Sequence, residues 1–341
     1  MIKKILFFKL GAIGDTLMTT PLIRQVRKNF PDAQIDYLIG NSSASVLENN
    51  LNINNIITFD EMIFVKKKII QWHKLISKIK RMNYDLIFVL DKHRIFNLSS
   101  KLFGIKIRVG FDRLGKEGIF LTNKVYYGEI RHEIYYYLDL AKEIGLKVNY
   151  KDTKMNIFLS NKDKKFANEF WKKHKLNGKK VIAVCPGGAI NYAAKTYVKR
   201  VPTEKFIEII NFLLKKGLIV LLIGGKSDLE IEKKILENVS SKNLISLISE
   251  TSIHQSAAIL EKCKKVICND SGPMHIAASV NKNIISIFGP TNPARFAPLW
   301  KQSKYIWKAN NIYDAKGEIV GKYNKGNYFE NFSVNDIKRY V

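Results

Sequence analysis

Two short stretches of the chain carry residues that could do chemistry. In Asn269-Asp270-Ser271-Gly272-Pro273-Met274-His275, a small-residue turn lies between the apolar run Lys265-Val266-Ile267-Cys268 and a helical run beginning at Met274. Pro273 suits a first helical turn, where a missing N–H costs nothing. A strand, a turn and a helix N-terminus in this order make an anion site. Unpaired N–H groups and the positive end of the helix dipole point to one place. His275, one turn in, adds a donor or a positive charge there. The second stretch is Gly11-Ala12-Ile13-Gly14-Asp15, where two glycines let a ligand approach the backbone and Asp15 stands at a helix start. That carboxylate is a candidate general base. Both stretches also admit a local reading, in which Asp15, Asp270 and Ser271 cap their helices and His275 is a satisfied surface side chain.

The elements around these stretches have to position them. Residues 3–10 are apolar almost throughout, as in a buried parallel strand, and a helical run over 16–30 follows. The turn between them is neither GxGxxG nor GxxxxGK[ST], so the nucleotide fingerprints fail. Strand-like segments at 34–40, 53–59, 84–90 and 107–111 alternate with helical runs at 43–49, 62–81 and 95–103, and Arg131-His132-Glu133 opens another. This alternation implies a parallel sheet with helices on both faces. Residues 150–178 hold one extended piece, 155–159, and one polar helix, 162–174, before Asn177-Gly178-Lys179-Lys180 breaks the chain.

The alternation restarts with Val181–Cys185, Pro186-Gly187-Gly188-Ala189 and a loop containing Lys195, Lys199 and Arg200. A helix over 203–217, a strand over 218–223, the turn Gly224-Gly225-Lys226-Ser227-Asp228, a strand over 244–248 and a helix over 252–263 follow. The last strand expected is 284–288, ending in Gly289-Pro290-Thr291-Asn292-Pro293. The expected domains are 1–160 and 175–325. The tail 326–341, with a helix over 333–340, is a candidate to cross back to the first domain. Two βα domains with ligand-like loops at their strand ends predict one site in a cleft between them.

Composition narrows the class. The 341 residues are 46% hydrophobic and 26% charged, as in a soluble globular protein, and no apolar run approaches a membrane span. The N-terminus runs straight into a strand and has no signal-peptide character, so a cytoplasmic location is expected. Cys185, Cys263 and Cys268 form no metal spacing, which points to a reducing compartment and a metal-free site. The net charge of +27 fits nucleic acid, an anionic membrane surface or phosphorylated substrates. The excess is mostly Lys, alongside abundant Ile and Asn, as an AT-rich genome imposes on any protein. No aromatic-interleaved basic cluster or nucleic-acid module accompanies it. Anionic lipid is therefore preferred as a partner over nucleic acid, with Lys66-Lys67-Lys68, Lys92-His93-Arg94 and the segment Arg108–Arg113 as the basic groups.

Five stretches occur in a set order: Gly11-Ala12-Ile13-Gly14-Asp15, Pro186-Gly187-Gly188, Lys199-Arg200-Val201-Pro202, Asn269 to His275, and Phe288-Gly289-Pro290-Thr291. Together they resemble glycosyltransferase family 9, the bacterial ADP-heptose:lipopolysaccharide heptosyltransferases. The resemblance implies an α/β fold of GT-B type, with two Rossmann-like βαβ domains facing across a cleft. It also implies an inverting, metal-independent transfer that needs no cofactor. Carried over by residue, Asp15 matches the catalytic Asp and Lys199 the basic residue that meets the donor diphosphate. Asp270, Ser271, Gly272 and His275 match the donor-binding element, joined by Gly187 and Gly188, and Asp228 is a ribose or base contact. The acceptor side is assigned to Lys9, Gly14, His93, Arg94, Arg113 and His132. Val201 stands where the family usually has Trp, and a cysteine-rich tail common in part of the family is absent. These departures bear on the donor sugar and the acceptor, not on the fold.

Sugar transfer from a nucleotide diphosphate needs a carboxylate for the acceptor proton, N–H dipoles and cations for the departing diphosphate, and alignment of both substrates. The expected reaction moves a heptose from ADP-heptose to the inner core of lipopolysaccharide, an anionic lipid-linked saccharide. The enzyme would be peripherally associated with the inner membrane. The alternatives are a family member using another nucleotide sugar, an epimerase, or a non-catalytic sugar-nucleotide binder on the same architecture.

Overall fold

Alternate side chains of the first strand, β1 (Lys4–Lys9), point to opposite faces, and aromatic rings cover both. Phe7 stacks on Tyr37 and Phe88, whereas Phe8 meets Phe59, Phe96 and Phe103. Phe7, Phe8 and Phe88 are fully buried, each contributing about 1.5–3 kcal/mol of hydrophobic stabilisation. A strand apolar on both faces belongs inside a parallel sheet covered by helices. The computed structural model, which describes residues 2–188, 198–309, 319 and 326–341, has this arrangement twice. The chain divides into two compact units, Met1–Asn156 and Ile157–Val341.

In the first unit, β1 is followed by α1 (Ile13–Met18), α2 (Thr20–Asn29), β2 (Gln34–Gly40), β3 (Asn55–Phe59), α3 (Met62–Val65), α4 (Ile69–Lys80), β4 (Leu86–Val89), α5 (Arg94–Leu102), β5 (Ile107–Arg113), β6 (Asn123–Tyr127) and α6 (Glu133–Glu143). The sheet order is β3-β2-β1-β4-β5-β6, all parallel. The order reverses between β1 and β4. Chain segments leave the carboxyl ends of these two strands in opposite directions, which opens the crevice where such sheets hold ligands.

Two expected helices are each divided. The run over 16–30 breaks at Thr19, because Pro21 has no N–H for the Leu17 carbonyl, and the Thr20 hydroxyl donates to that oxygen instead at 2.7 Å. The run over 62–81 breaks at Lys67, whose φ of 51° is left-handed. The helix expected over 43–49 is a 3-10 turn, Asn41–Leu47. β6 is a sheet-edge strand with alternating burial, too polar to be read as a strand from its sequence. Residues 155–159 form no strand.

The second unit contains α7 (Asn161–Lys173), β7 (Val181–Cys185), α8 (Thr203–Lys215), β8 (Ile219–Leu222), α9 (Leu229–Asn238), β9 (Leu244–Ser246), α10 (Ile253–Lys262), β10 (Lys265–Asn269), α11 (Gly272–Val280), β11 (Ile284–Phe288), α12 (Pro293–Phe296) and β12 (Lys304–Trp307). Its order, β12-β11-β10-β7-β8-β9, repeats the plan of the first sheet, with the reversal between β7 and β10. β12 is a further edge strand beyond the one expected to be last.

The tail corrects an expectation. Tyr328, Phe329, Phe332 and Ile337 are buried in the second unit's own core with Phe206, Ile209 and Ile285, so the tail belongs to that unit. Four apolar side chains in a polar segment need a core to enter, and the nearest one in sequence takes them. Phe329 also explains Gly289, since a Cβ there would lie 2.5 Å from the Phe329 ring.

Candidate active site

Both stretches singled out in the sequence stand at the carboxyl ends of switch-point strands, one in each unit. In the second unit, Asn269 ends β10 and is fully buried. Its amide donates to the carbonyls of Pro186 and Gly187 at 2.8 and 3.1 Å, and its oxygen accepts from the Val201 N–H at 3.1 Å. One side chain thus ties together three of the five motif stretches. The sequence shows Asn269 only as a turn residue, because its partners lie 68 to 83 positions away.

Ser271 occupies the N-cap position of α11, yet its hydroxyl makes no capping bond and lies 3.4 Å from the Asn269 carbonyl instead. The local capping reading therefore fails for this side chain. Gly272 opens the helix, Pro273 has no N–H and the Met274 N–H donates to the Ser271 carbonyl at 3.0 Å, which leaves the Gly272 N–H as the first-turn donor at this helix end. Lys199 reaches this end from a separate loop, and its Nζ lies 2.9 Å from Oδ2 of the buried Asp270. Burial alone would push the Asp270 carboxyl up. Lys199 and His275 outweigh that and hold it below the usual carboxylate range. The sign follows: the stability from this ionised carboxylate is complete above the ordinary carboxylate pKa of about 4 and is lost as pH falls through the lower folded value. A carboxylate cannot itself meet an anion favourably. Within the expected donor-binding element, Asp270 thus orients Lys199 beside the helix N-terminus and His275. Lys195 and Ala189 lie outside the described residues.

Asp228 is likewise bonded within the protein. It is 2% exposed, and its oxygens accept from the N–H groups of Gly188 and Gly225 at 3.0 and 2.9 Å. Arg200 lies 3.4 Å from the same carboxylate and donates to the Gly188 carbonyl at 2.8 Å. A Cβ on Gly187 would fall 2.1 Å from the Asp228 carboxyl carbon, which is why that position is glycine. Asp228 clamps the Gly187-Gly188 and Gly224-Gly225 turns, and a ribose contact would come on top of that bonding. Replacing Asp228 with Ala should destabilise the protein by about 3 kcal/mol or more, as removing one partner of a buried pair does. Chemical denaturation checks this, and unchanged stability with lost ADP affinity would favour the nucleoside role instead.

In the first unit, Asp15 lies in the first turn of α1 rather than at its N-cap, which is Ala12. Its carboxylate accepts no hydrogen bond from the described residues, so here too capping does not account for it. Two lysines flank it. Lys9, 2% exposed, pairs with Asp91 at 3.2 Å. Lys92 pairs with the fully buried Glu133 at 2.8 Å, beneath the rings of Phe111, Tyr127 and Tyr137. Burial opposes charge on both amines, but the carboxylates around them, Asp15 included, raise both above the ordinary lysine range.

The residues expected to meet an acceptor differ in exposure and in what they are bound to. Lys9 and Gly14 are buried, and Lys9 is engaged by Asp91, so neither is placed for acceptor contact. His132 is buried as the N-cap of α6, accepting from the Ile134 N–H. His93 caps α5 in the same way but is exposed, as is Arg94. Arg113 pairs with Glu117 at 3.2 Å, and that carboxylate also accepts from the Arg94 N–H. Two members of the basic groups turn inward as well. Lys92 is enclosed by the rings, and the Arg108 guanidinium donates to the carbonyls of Ile105, Lys106 and Phe120. Asp91, Lys92 and Glu133 went unrecognised as neighbours of Asp15, because only the β1–β4 adjacency and the return of α6 bring them there.

Comparison with known proteins shows the family and the fold. Residues 72–323 match the family model of glycosyltransferase family 9 (heptosyltransferase). The chain is 26% identical over 311 residues to lipopolysaccharide heptosyltransferase 3 of Escherichia coli K12, covering 87% of this chain and 86% of that protein. It is 27% identical over 320 residues to lipooligosaccharide heptosyltransferase 2 of Haemophilus ducreyi, covering 89% and 88%. Among solved structures, a family 9 glycosyl transferase from Veillonella parvula superposes with a TM-score of 0.82 at 22% identity, covering 99% of this chain and 96% of that one. The Escherichia coli ADP-heptose heptosyltransferase II superposes with a TM-score of 0.77 at 22% identity, covering 99% and 97%.

Proposed function

This chain belongs to glycosyltransferase family 9, with the family's two Rossmann-like domains of GT-B type, and from that premise we propose that it transfers a heptose from ADP-heptose to an inner-core sugar of lipopolysaccharide. The observation that carries the reading is Asp15: a carboxylate at a switch-point strand end with no hydrogen bond from the described residues, in the family's motif position. The relatives' names, which specify lipopolysaccharide and lipooligosaccharide heptosyltransferases, support the substrate class.

The reaction is a single inverting displacement. Asp15 accepts the proton of the acceptor hydroxyl as that oxygen bonds to the anomeric carbon. The bond from that carbon to the diphosphate breaks, and its electron pair leaves with the ADP. Lys199, held by Asp270, together with His275 and the positive end of α11 at Gly272, meets the growing diphosphate charge, so the chain's own cations and dipoles serve without a metal. A screen of ADP- and UDP-sugars for turnover, with Kdo-lipid A and longer core acceptors, tests the reading. Turnover of ADP-heptose above the others is expected. Nucleotide binding without turnover on any acceptor would leave a non-catalytic sugar-nucleotide binder.

The acceptor is carried by a membrane, and the α3–α4 junction supports peripheral docking at its cytoplasmic face. Val65, Ile69 and Ile70 are 57%, 65% and 70% exposed there, interleaved with the exposed Lys66 and Lys67. Apolar tips among lysines suit an anionic interface, where each Lys near the surface contributes about 1 kcal/mol. Among the described residues no helix is long and apolar enough to cross a membrane. In flotation assays the protein should bind phosphatidylglycerol vesicles at low salt, and Ile69→Ser with Ile70→Ser should weaken the binding. Equal recovery on neutral and anionic vesicles would count against docking of this kind.

A further inference from the structure

The two buried ion pairs beside Asp15 have an electrical consequence. Lys9 and Lys92 each have a carboxylate of their own, and each carboxylate is held by a second donor. The Leu10 N–H donates to Asp91 at 2.5 Å, and the Tyr127 hydroxyl donates to Glu133. Two lysines face three carboxylates here, Asp15, Asp91 and Glu133, so one negative charge is in excess. The excess belongs to Asp15, the member whose oxygens accept no hydrogen bond from the described residues. The other groups facing the cluster are the hydroxyls of Tyr37, on β2, and Tyr137, on α6, both fully buried. The remaining titratable groups on the elements packed against α1 are engaged elsewhere or face solvent: Arg24 and Lys28 with Asp152, Arg27 with backbone carbonyls, Asp139 with Arg131, Lys142 over the Tyr150 ring, Glu143 exposed, and the buried His132 as the N-cap of α6, accepting from the Ile134 N–H. The 3-10 turn Asn41–Leu47 carries no titratable side chain.

We propose that Asp91 and Glu133 are positioning residues that neutralise Lys9 and Lys92 and so leave Asp15 the unpaired carboxylate that takes the acceptor proton. A buried ammonium without its own partner would bind Asp15 instead. Such a contact favours the ionised carboxylate and makes it a poorer base. With both lysines occupied, a proton arriving on Asp15 brings the cluster from one excess negative charge to neutrality. The lysines remain necessary, because they offset the charges of Asp91 and Glu133. The inference rests on the reading of Asp15 as the base.

The test is the pH dependence of kcat/KM for ADP-heptose with Kdo-lipid A, measured on the full chain. Its acid limb reports protonation of the base in the free enzyme. Glu133→Gln keeps a partner for Tyr127 but releases Lys92, and should move the acid limb down by about one pH unit or more while kcat falls. Lys92→Met leaves Glu133 uncompensated and should move the limb up. The double variant removes both charges and should return it close to the wild-type position. A purely structural role would lower the melting temperature without moving the limb, and an unmoved limb in the folded variants overturns the proposal. Where Glu133→Gln does not fold, Asp91→Asn releases Lys9 and carries the same expectation. Asp15→Asn separates the two levels: retained turnover removes the base itself, whereas lost turnover with unmoved limbs removes only the role of the pairs.

Discussion

Asp15→Asn is expected to lose roughly 10²-fold or more in kcat with ADP affinity unchanged. Asn has the size of Asp and cannot accept the proton, so the substitution removes one capacity. Little else should change. Asp15 is not the helix cap and accepts no hydrogen bond from the described residues, so the fold has no bond there to lose. What remains is its charge near the helix N-terminus, about 0.3–1 kcal/mol. Steady-state turnover, ADP titration and a melting curve on the same preparation separate the contributions. A fall in kcat and kcat/KM together, without loss of ADP binding, marks an interaction made only in the transition state. Turnover close to wild type would reduce Asp15 to a charge at a helix end.

Lys199→Ala should weaken ADP binding by more than one charge-assisted hydrogen bond, which is about 1.5–3 kcal/mol. The excess comes from Asp270. Only 4% of its surface is exposed, and without Lys199 it becomes a buried, poorly compensated negative charge beside the diphosphate. Lys199→Ala combined with Asp270→Asn should therefore recover part of the affinity. His275→Ala should act in the smaller range, and its effect should not add to that of Lys199→Ala, because both groups feel the charge of Asp270. Isotherms of ADP against these variants decide the matter. Additive losses with no recovery in the Asp270→Asn double variant would place Lys199 and His275 on separate partners. Unchanged affinity in every variant would remove the donor site from this end of α11.

The local sequence was enough for the strands and for the positions of the two chemical stretches. Burial on both faces of a parallel strand leaves an apolar run, as in Phe7-Phe8 of β1 or Val266-Ile267-Cys268 of β10, and a turn after such a run lies at the sheet's carboxyl edge. The edge strands β6 and β12 escaped because half of their side chains face solvent and leave no such run. The helix breaks at Thr19 and Lys67 escaped because hydrophobic periodicity continues through them.

The chain's own sequence also marks Asp15, Lys199 and Asp270 to His275 as its chemistry-bearing residues, since turn chemistry and motif order are local properties. Only the tertiary structure decided what each one is bound to. Strand order 3-2-1-4 brings Asp91 and Lys92 beside Lys9 across some eighty positions, and the return of α6 supplies Glu133. The same folding made Asp228 a clamp and Asp270 a partner for Lys199. A charged side chain that becomes buried must find a counter-charge or donors. Which ones it finds depends on strand adjacency, and adjacency between distant segments is not written in the neighbourhood of any single residue.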